Sequence, residues 1–240
     1  MAALHLTFDD GPSPAWTPVV LAALERIGAR ATFFVLGDAV RAHPDLVRAA
    51  VAHGHRVELH ADRHERHDRM SAAAIRADAG AALDALRAAG VAPAWWRTPW
   101  GRITDATRTV AAERGLRLVG WDADTHDWRG DRAEAMLAAV ERDAPAGGVV
   151  LAHDGLGPGA TRAGCEETVR FVSLAGAWAR ARGLELEPLP VPEDPAARGV
   201  TEERGRADAT GRSRSAAIVG AAGGSRRSSA PDPSLAGGRA

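Results

Sequence analysis

The sequence predicts a parallel α/β domain followed by an unstructured tail. Short apolar runs alternate with longer segments whose apolar residues recur every three or four positions, which is typical of strands and helices that follow one another. Polar residues collect directly after the apolar runs, and the large apolar residues thin out near residue 190. An open doubly wound sheet and a barrel of parallel strands both fit this order of elements.

Seven apolar runs are predicted to be strands. They are residues 3–8, 31–36, 56–60, 94–97, 116–121, 148–153 and 184–189. Six helices are predicted between them. Three of these end at Gly28, Gly54 and Gly90, and the others cover residues 104–114, 131–143 and 163–182.

The predicted helix ends carry the residues that helix ends favour. Gly28 and Gly54 suit the left-handed conformation that closes many helices. Pro44 fits the first position of a helix, where its missing N–H costs nothing. Ser71 is an N-cap candidate, because its hydroxyl can accept a hydrogen bond from an unpaired backbone N–H.

Charge and composition exclude several classes of partner. The chain of 240 residues has 30 basic and 31 acidic residues and a net charge of −1, so neither nucleic acid nor an anionic membrane is expected as its main partner. No apolar run approaches the ~18 residues of a membrane span. No signal peptide precedes the first strand, so the chain as written is expected to be cytoplasmic, with export if the start is truncated. One cysteine allows no internal disulfide.

The composition changes after residue 190. Residues 191–240 are rich in Gly, Ala, Ser, Pro and Arg and nearly free of large apolar side chains. Such a segment cannot bury enough apolar surface to fold. The sequence therefore predicts a folded domain at residues 1–190 and a disordered tail at residues 191–240.

Polar side chains gather at the carboxyl ends of the predicted strands, where the sites of parallel α/β proteins form. Asp9 and Asp10 end the first run, and Gly11–Pro12 is expected to break the strand so that both carboxylates can face one place. The later strand ends contribute His60, His64, Arg97, Trp100, Asp124, Asp127, Trp128 and His153.

Each of these features alone has a structural interpretation, such as a turn for the carboxylate pair or an ion pair for Arg97. Together they favour one metal-dependent active site. His67 follows three residues after His64, and we expect it at the surface, because three ligands already leave the open position that a catalytic zinc needs.

The motifs that carry these residues resemble those of the NodB-homology polysaccharide deacetylases, carbohydrate esterase family four. Five motifs occur in order between residues 4 and 189: TFDDGP at 7–12, HADRH at 60–64, RTPWG at 97–101, DTHDW at 124–128 and LAH at 151–153. Ala61 stands where the second motif usually has a hydroxyl residue. The resemblance implies a distorted barrel of about seven β/α units.

The resemblance also implies a metal and its ligands. Asp10, His60 and His64 would hold one divalent ion, with Zn²⁺ expected and Co²⁺ or another divalent ion as alternatives. Asp9 would be the general base, and Arg97 would hold Asp9 in place.

The remaining roles concern the leaving group and the substrate. His153 would be the general acid, and Asp127 would orient its ring, with Asp124 as a possible helper. Trp128 and Leu151 would form the pocket for the acetyl methyl group, and Trp100 would contact the sugar.

The predicted function is removal of acetyl groups from N-acetylated sugars, with N-acetylglucosamine units of an oligosaccharide or polysaccharide as substrate. One alternative is an amidase or imidase of the same fold that acts on another non-peptide C–N bond of a small metabolite. An alternative of another class is a carbohydrate-binding module with an inactive site. An inactive member should lack Asp9, a metal ligand or His153, and this chain has all of them.

Overall fold

The computed structural model describes residues 2–191, which contain one parallel sheet of eight strands and seven α-helices. The strands are β1 Ala3–Asp9, β2 Thr32–Leu36, β3 Arg56–Ala61, β4 Trp95–Trp96, β5 Arg117–Leu118, β6 Ala123–Asp124, β7 Gly148–His153 and β8 Glu185–Leu186. The helices are α1 Thr17–Ile27, α2 Gly37–Ala42, α3 Pro44–Ala52, α4 Ala72–Ala88, α5 Asp105–Glu113, α6 Ala133–Asp143 and α7 Glu166–Ala181. Apart from Val191, the predicted tail lies outside the described residues.

The sheet curls until its two ends meet. The strands follow the order β5-β4-β3-β2-β1-β7-β6, and β8 pairs with the start of β1. Strands β5 and β6 lie at opposite ends of this order, yet only residues 119–122 separate them in the chain. This connection donates from the Val119 N–H to Trp96 O (3.1 Å) and from the Asp122 N–H to Val149 O (2.8 Å). It therefore joins β5 and β6, the two ends of the sheet, and we call it the seam of the barrel.

The predicted barrel is confirmed, and it is distorted because no hydrogen-bonded ladder joins β5 to β6. Strand β1 lies at its centre, between β2 and β7. Its last residues, from Leu6 to Asp9, are all buried. Both faces of the strand are thus covered, as expected for a parallel sheet, so a carboxylate at its end is withdrawn from water.

Several predicted helix ends are confirmed. Gly28 has φ 68° after α1. Ser71 caps α4 by accepting a hydrogen bond from the Ala74 N–H (3.2 Å). Thr104 caps α5 in a reciprocal arrangement with Thr107, which places hydroxyl oxygens on two of the unpaired N–H groups of the first turn.

Two parts of the predicted order are wrong. Helix α2 follows β2 directly and is not among the six predicted helices. The predicted strand at residues 116–121 stops at Leu118, and Ala123–Asp124 forms a separate strand at the other end of the sheet. Residues 119–122 do not continue the strand because they form the seam, which leads from one end of the sheet to the other.

Among residues 2–191, every helix is too short or too polar to span a bilayer.

Candidate active site

The two adjacent aspartates lie where β1 ends. Asp9 is the last residue of the strand and lies beside His153 of β7 and Phe34 of β2. Asp10 has φ 72°, in the left-handed region that non-glycine residues rarely adopt. The regular strand is therefore broken at Asp10 itself, one residue before the expected Gly11–Pro12 turn, and its carboxylate leaves the alternation of faces.

The turn leaves no room for side chains behind Asp10. A β-carbon at Gly155 or Gly157, in the connection between β7 and α7, would collide with Asp10. The backbone of this connection thus packs against the carboxylate and fixes its direction.

Asp10, His60 and His64 bring three candidate metal ligands together. Asp10 Oδ1 lies 3.3 Å from His64 Nε2 and 3.5 Å from His60 Nε2, and the three ligand atoms all lie within 4.8 Å of one another. Asp10 Oδ1 is buried and accepts no hydrogen bond. A buried carboxylate oxygen without a donor is costly unless a cation satisfies it.

The tautomer of His60 suits this interpretation. Its Nδ1–H donates to the backbone carbonyl of Arg97 (2.7 Å), which leaves the lone pair of Nε2 directed at Asp10. Burial lowers the pKa of His64 to about 4, with the neighbouring His60 adding to the effect, so this imidazole is neutral near pH 7 and able to ligate. One carboxylate oxygen and two imidazole nitrogens form a donor set that fits zinc and similar divalent ions.

Asp9 is held by a buried arginine. The fully buried Arg97 donates from Nη1 to Asp9 Oδ1 (3.0 Å) and to Thr7 Oγ1 (2.6 Å), and from Nη2 to Gly120 O (2.9 Å). The guanidinium lies against the ring of Phe34, at 4.2 Å from its centre. Asp9 is thereby fixed through one oxygen, while its other oxygen, Oδ2, lies 4.0 Å from His60 Nδ1.

His153 forms a second pair with Asp127. Its Nδ1 lies 2.7 Å from Asp127 Oδ1, and its backbone N–H donates to Asp127 Oδ2 (2.9 Å). Burial lowers the pKa of His153, but the Asp127 carboxylate, together with Asp10 and Asp9, outweighs burial and raises it to about 9. Burial raises the pKa of Asp127, but His153 and Arg162 outweigh it and lower that pKa to about 2. The imidazole is therefore protonated at neutral pH, as a general acid must be.

Comparison with known proteins agrees with this geometry. Residues 2–119 match the polysaccharide deacetylase family model. The chitooligosaccharide deacetylase of Bradyrhizobium sp. strain ANU 289 is 36% identical over 196 residues, which cover 78% of this chain and 89% of the relative. The chain belongs to the polysaccharide deacetylase family.

Other members of this deacetylase family are also similar. The peptidoglycan-N-acetylglucosamine deacetylase PgdA of Listeria monocytogenes is 37% identical over 152 residues, covering 63% of this chain and 32% of the relative. The solved structure of a family 4 carbohydrate esterase from Streptomyces lividans, in complex with acetate, matches with a TM-score of 0.70 and 32% identity over 77% of this chain and 91% of that one. The two named sequence relatives are deacetylases, which are hydrolases of C–N bonds.

The fold of the family does not by itself imply activity. A family 4 pseudoenzyme from Bacillus anthracis has the same fold at 21% identity, with a TM-score of 0.70 over 78% of this chain and 63% of that one. The activity of this deacetylase-family chain therefore depends on the residues at its own site.

The three residues predicted to contact the substrate are close in space or in sequence to other predicted site residues. Trp100 is 41% exposed and meets the ring of His64 edge-on, with ring centres 4.0 Å apart. Leu151 lies two residues before His153 on β7, so both side chains face the same side of the strand. Trp128 follows Asp127 directly, and its carbonyl accepts a hydrogen bond from the Thr161 N–H (2.9 Å).

Two predicted placements need correction or detail. His67 was expected at the surface, but it is 1% exposed and packs edge-on against Trp96, with Nδ1 3.1 Å from Thr107 Oγ1. The expectation is wrong because the turn after His64 folds back over α5 and β4. Asp124 accepts a hydrogen bond from the His126 N–H (2.7 Å), so its partner is His126.

Sequence analysis missed three buried polar residues beside the deacetylase site. Arg162 and Thr168 both donate to Asp127 Oδ2, at 2.8 and 2.7 Å. Asp154 is fully buried behind Gly11 and accepts a hydrogen bond from the Thr17 hydroxyl, and burial raises its pKa to about 7. None of the three lies in a recognised motif. Only Asp154 could have been identified from the sequence, because it is a polar residue directly after the strand-end His153.

Proposed function

We propose that this chain is a metal-dependent N-deacetylase that removes acetyl groups from N-acetylglucosamine units of an oligosaccharide or polysaccharide. One observation carries the proposal: the ligand atoms of Asp10, His60 and His64 converge beside an arginine-held carboxylate, Asp9, and Asp9 is the strand neighbour of a carboxylate-held imidazole, His153. Base, cation site and acid are the three elements that amide hydrolysis needs. Two relatives are named as deacetylases of chitooligosaccharide and of peptidoglycan N-acetylglucosamine, which supports the choice of an N-acetylated sugar.

Asp10, His60 and His64 would hold one divalent cation, with Zn²⁺ as the first candidate. The orphaned Oδ1 of Asp10 and the tautomer of His60 support this assignment. When bound, the cation supplies positive charge that polarises the acetyl carbonyl and lowers the pKa of a nearby water.

Asp9 then acts as the general base. It accepts a proton from the attacking water while the water oxygen bonds to the acetyl carbonyl carbon. Arg97 holds Asp9 Oδ1, so the base is presented in one orientation, through Oδ2. Because Arg97 is itself fixed by Thr7 and Gly120, the base cannot turn away without disturbing the barrel.

His153 acts as the general acid on the other side. It gives its proton to the amide nitrogen as the C–N bond breaks, which releases acetate and the free amine of the sugar. Asp127 keeps the imidazole charged and holds it by Nδ1, which leaves Nε2 to donate.

The apolar side chains would select the acetyl group and the sugar. Leu151 and Trp128 would contact the methyl group, which has no polar atoms to satisfy. Trp100, with 41% of its surface exposed, would offer an aromatic face to the apolar side of a sugar ring.

The test combines metal analysis with product detection on the purified chain. We expect about one divalent ion per chain, bound at the single cluster that residues 2–191 contain, together with acetate release from chito-oligosaccharides. Exhaustive chelation should abolish turnover, and Zn²⁺ or Co²⁺ should restore it. The substrate panel should include peptidoglycan fragments and small cyclic and linear amides. Turnover of the small amides alone would replace the proposal with the amidase alternative, and full activity without metal would overturn the mechanism.

A further inference from the structure

Arg162 lies outside every motif, yet its side chain donates hydrogen bonds to both members of the acid pair, Asp127 and His153. It sits in the connection between β7 and α7, nine residues after His153, and its side chain is 6% exposed. Nη1 donates to Asp127 Oδ2 (2.8 Å) and Thr168 Oγ1 (2.5 Å). Nη2 donates to the carbonyls of His153 (3.0 Å) and Gly155 (3.2 Å).

These bonds fix the Asp127 carboxylate in one orientation. Oδ2 accepts from Arg162, from the Thr168 hydroxyl (2.7 Å) and from the His153 backbone N–H (2.9 Å). Oδ1 is left for the His153 ring, at 2.7 Å. A carboxylate with three donors on one oxygen cannot rotate without breaking them, so the oxygen that faces the imidazole is determined by its neighbours.

The same guanidinium also holds the backbone of the acid. Its second nitrogen binds the carbonyl of His153, so one planar group connects Asp127 to the main chain that carries the imidazole. Arg162 therefore reinforces the direct bond from the His153 backbone N–H to Asp127 in fixing the distance between the carboxylate and the ring. A lysine ammonium can reach one of these partners but lacks the planar fork that reaches both.

We infer that Arg162 is a positioning residue for proton donation: it holds Asp127 and the His153 backbone together so that the imidazole presents Nε2 to the leaving nitrogen. The inference rests on the proposed function, since it concerns the acid of that reaction. Arg162 does not touch the reacting atoms. The low pKa of Asp127, about 2, agrees with a carboxylate that lies beside two positively charged groups, His153 and Arg162.

The test compares four variants of the full chain loaded with Zn²⁺. Arg162→Ala should lower kcat by roughly 10- to 100-fold, the cost of a small misplacement of a reacting group, with KM changed by less than about twofold. Metal content should stay near wild type, because Arg162 contacts none of the three ligand side chains. Arg162→Lys should recover part of the loss, and millimolar guanidinium should recover part of the activity of Arg162→Ala. Thr168→Val, which removes one neutral donor to the same oxygen, should have a smaller effect.

Arg56→Ala is the matched control. It removes another arginine–carboxylate pair, in which Nε and Nη2 both donate to Glu58 Oε1 (3.0 and 2.8 Å), at the start of β3 and away from the acid. It should lower thermal stability without lowering kcat. If Arg162→Ala keeps wild-type kcat, or if its loss follows thermal stability as in Arg56→Ala and neither lysine nor guanidinium restores it, Arg162 is structural only and the inference is overturned.

A second readout does not depend on activity. The Nδ1 proton that His153 shares with Asp127 should give a strongly downfield NMR signal, assigned by its loss in His153→Gln. In Arg162→Ala that signal should broaden or move upfield, and an unchanged signal would contradict the inference. A wild-type protein that shows this signal but releases no acetate would instead refute the proposed function alone.

Discussion

The two edges of the barrel each bury an arginine–carboxylate cluster, and they differ in what is left unsatisfied. At the amino edge, Glu58 is 1% exposed and accepts from Arg56 and from the backbone N–H groups of Ala94 (2.7 Å) and Trp95 (2.8 Å). Both of its oxygens have donors, so the cluster is complete. At the carboxyl edge, Asp10 Oδ1 is equally buried and has no donor.

This difference distinguishes a carboxylate that stabilises the fold from one that can bind a ligand. A buried carboxylate with all of its hydrogen bonds made contributes to stability and has nothing left to offer a ligand. A buried carboxylate with an open oxygen, beside two imidazole nitrogens that also point at it, is suited to binding a cation. Substitutions at the carboxyl edge should therefore affect turnover or metal binding, and substitutions at the amino edge should affect stability.

Asp9→Asn should have the largest effect. The amide keeps the shape of the side chain but cannot accept the proton of water, so kcat should fall by roughly 10²–10⁴-fold. Metal content should change little, because Asp9 is proposed as base and not as ligand. Thermal stability should fall, because the buried Arg97 loses its charged partner. Steady-state kinetics beside metal analysis tests this, and normal turnover would mean that the base has been assigned to the wrong carboxylate.

Asp10→Asn should separate the two adjacent aspartates. A neutral amide oxygen is a poorer ligand than a carboxylate, so the affinity for Zn²⁺ should fall at least 10-fold, the lower end of the loss seen when groups that support a metal are removed. Turnover should recover in part at high Zn²⁺, whereas Asp9→Asn should not respond. Competition with a chelator of known affinity measures the change. Equal metal loss in the two variants would show that the roles are not divided between them.

Glu58→Ala, at the amino edge, should lower stability and leave turnover nearly unchanged. It leaves the Arg56 guanidinium and two backbone N–H groups without their acceptor, and breaking a buried ion pair costs about 3–5 kcal/mol. Urea unfolding should report that loss, while kcat measured where the variant is folded should stay within about twofold of wild type. A large fall in kcat would mean that the two edges are not independent.

The acid pair should show a pH signature. The pKa of His153 is raised from 6.5 to about 9, so in the metal-free protein the ring should stay protonated at neutral pH and lose its proton as pH rises through about 9. NMR titration measures this midpoint, and a bound cation should lower it. In Asp127→Asn the opposing effect of burial is no longer outweighed by this carboxylate, and the midpoint should move down. With metal bound, kcat/KM of that variant should accordingly fall at a lower pH than in wild type.

Removal of residues 193–240 should have the smallest effect. The composition of this segment predicts no core of its own, so the melting temperature and kcat should remain close to those of the full chain. Calorimetry and acetate release on both lengths test this. A marked loss of either would assign the segment a part in the folded domain.

The sequence predicted the site better than it predicted the connections. Asp9, His60, Arg97 and His153 follow apolar runs, and parallel strands bring their carboxyl ends to one edge, so their proximity could be inferred from the order of elements. Arg162 could not be found in this way. It reaches Asp127 across 35 positions of sequence, through a connection without regular structure, and no local pattern records such a contact.

Short elements were missed for a related reason. Strands of two residues, such as Ala123–Asp124, are too short to show a period. The burial of His67 depends on how its turn meets Trp96 and Thr107, which are distant in sequence. Periodicity reports which face of an element is apolar, and it does not report where an irregular turn folds back.

Arg97 has a consequence for how the domain folds. One guanidinium nitrogen holds the proposed base, Asp9, and the other binds Gly120 in the seam between β5 and β6. Closure of the barrel and orientation of the base therefore belong to one cooperative step. Partly folded chains with an open seam should be inactive, and amide protons at residues 119–122 should exchange through the same opening that releases Asp9. A substitution of Arg97 should accordingly raise the amide exchange rates of the seam and lower the turnover rate.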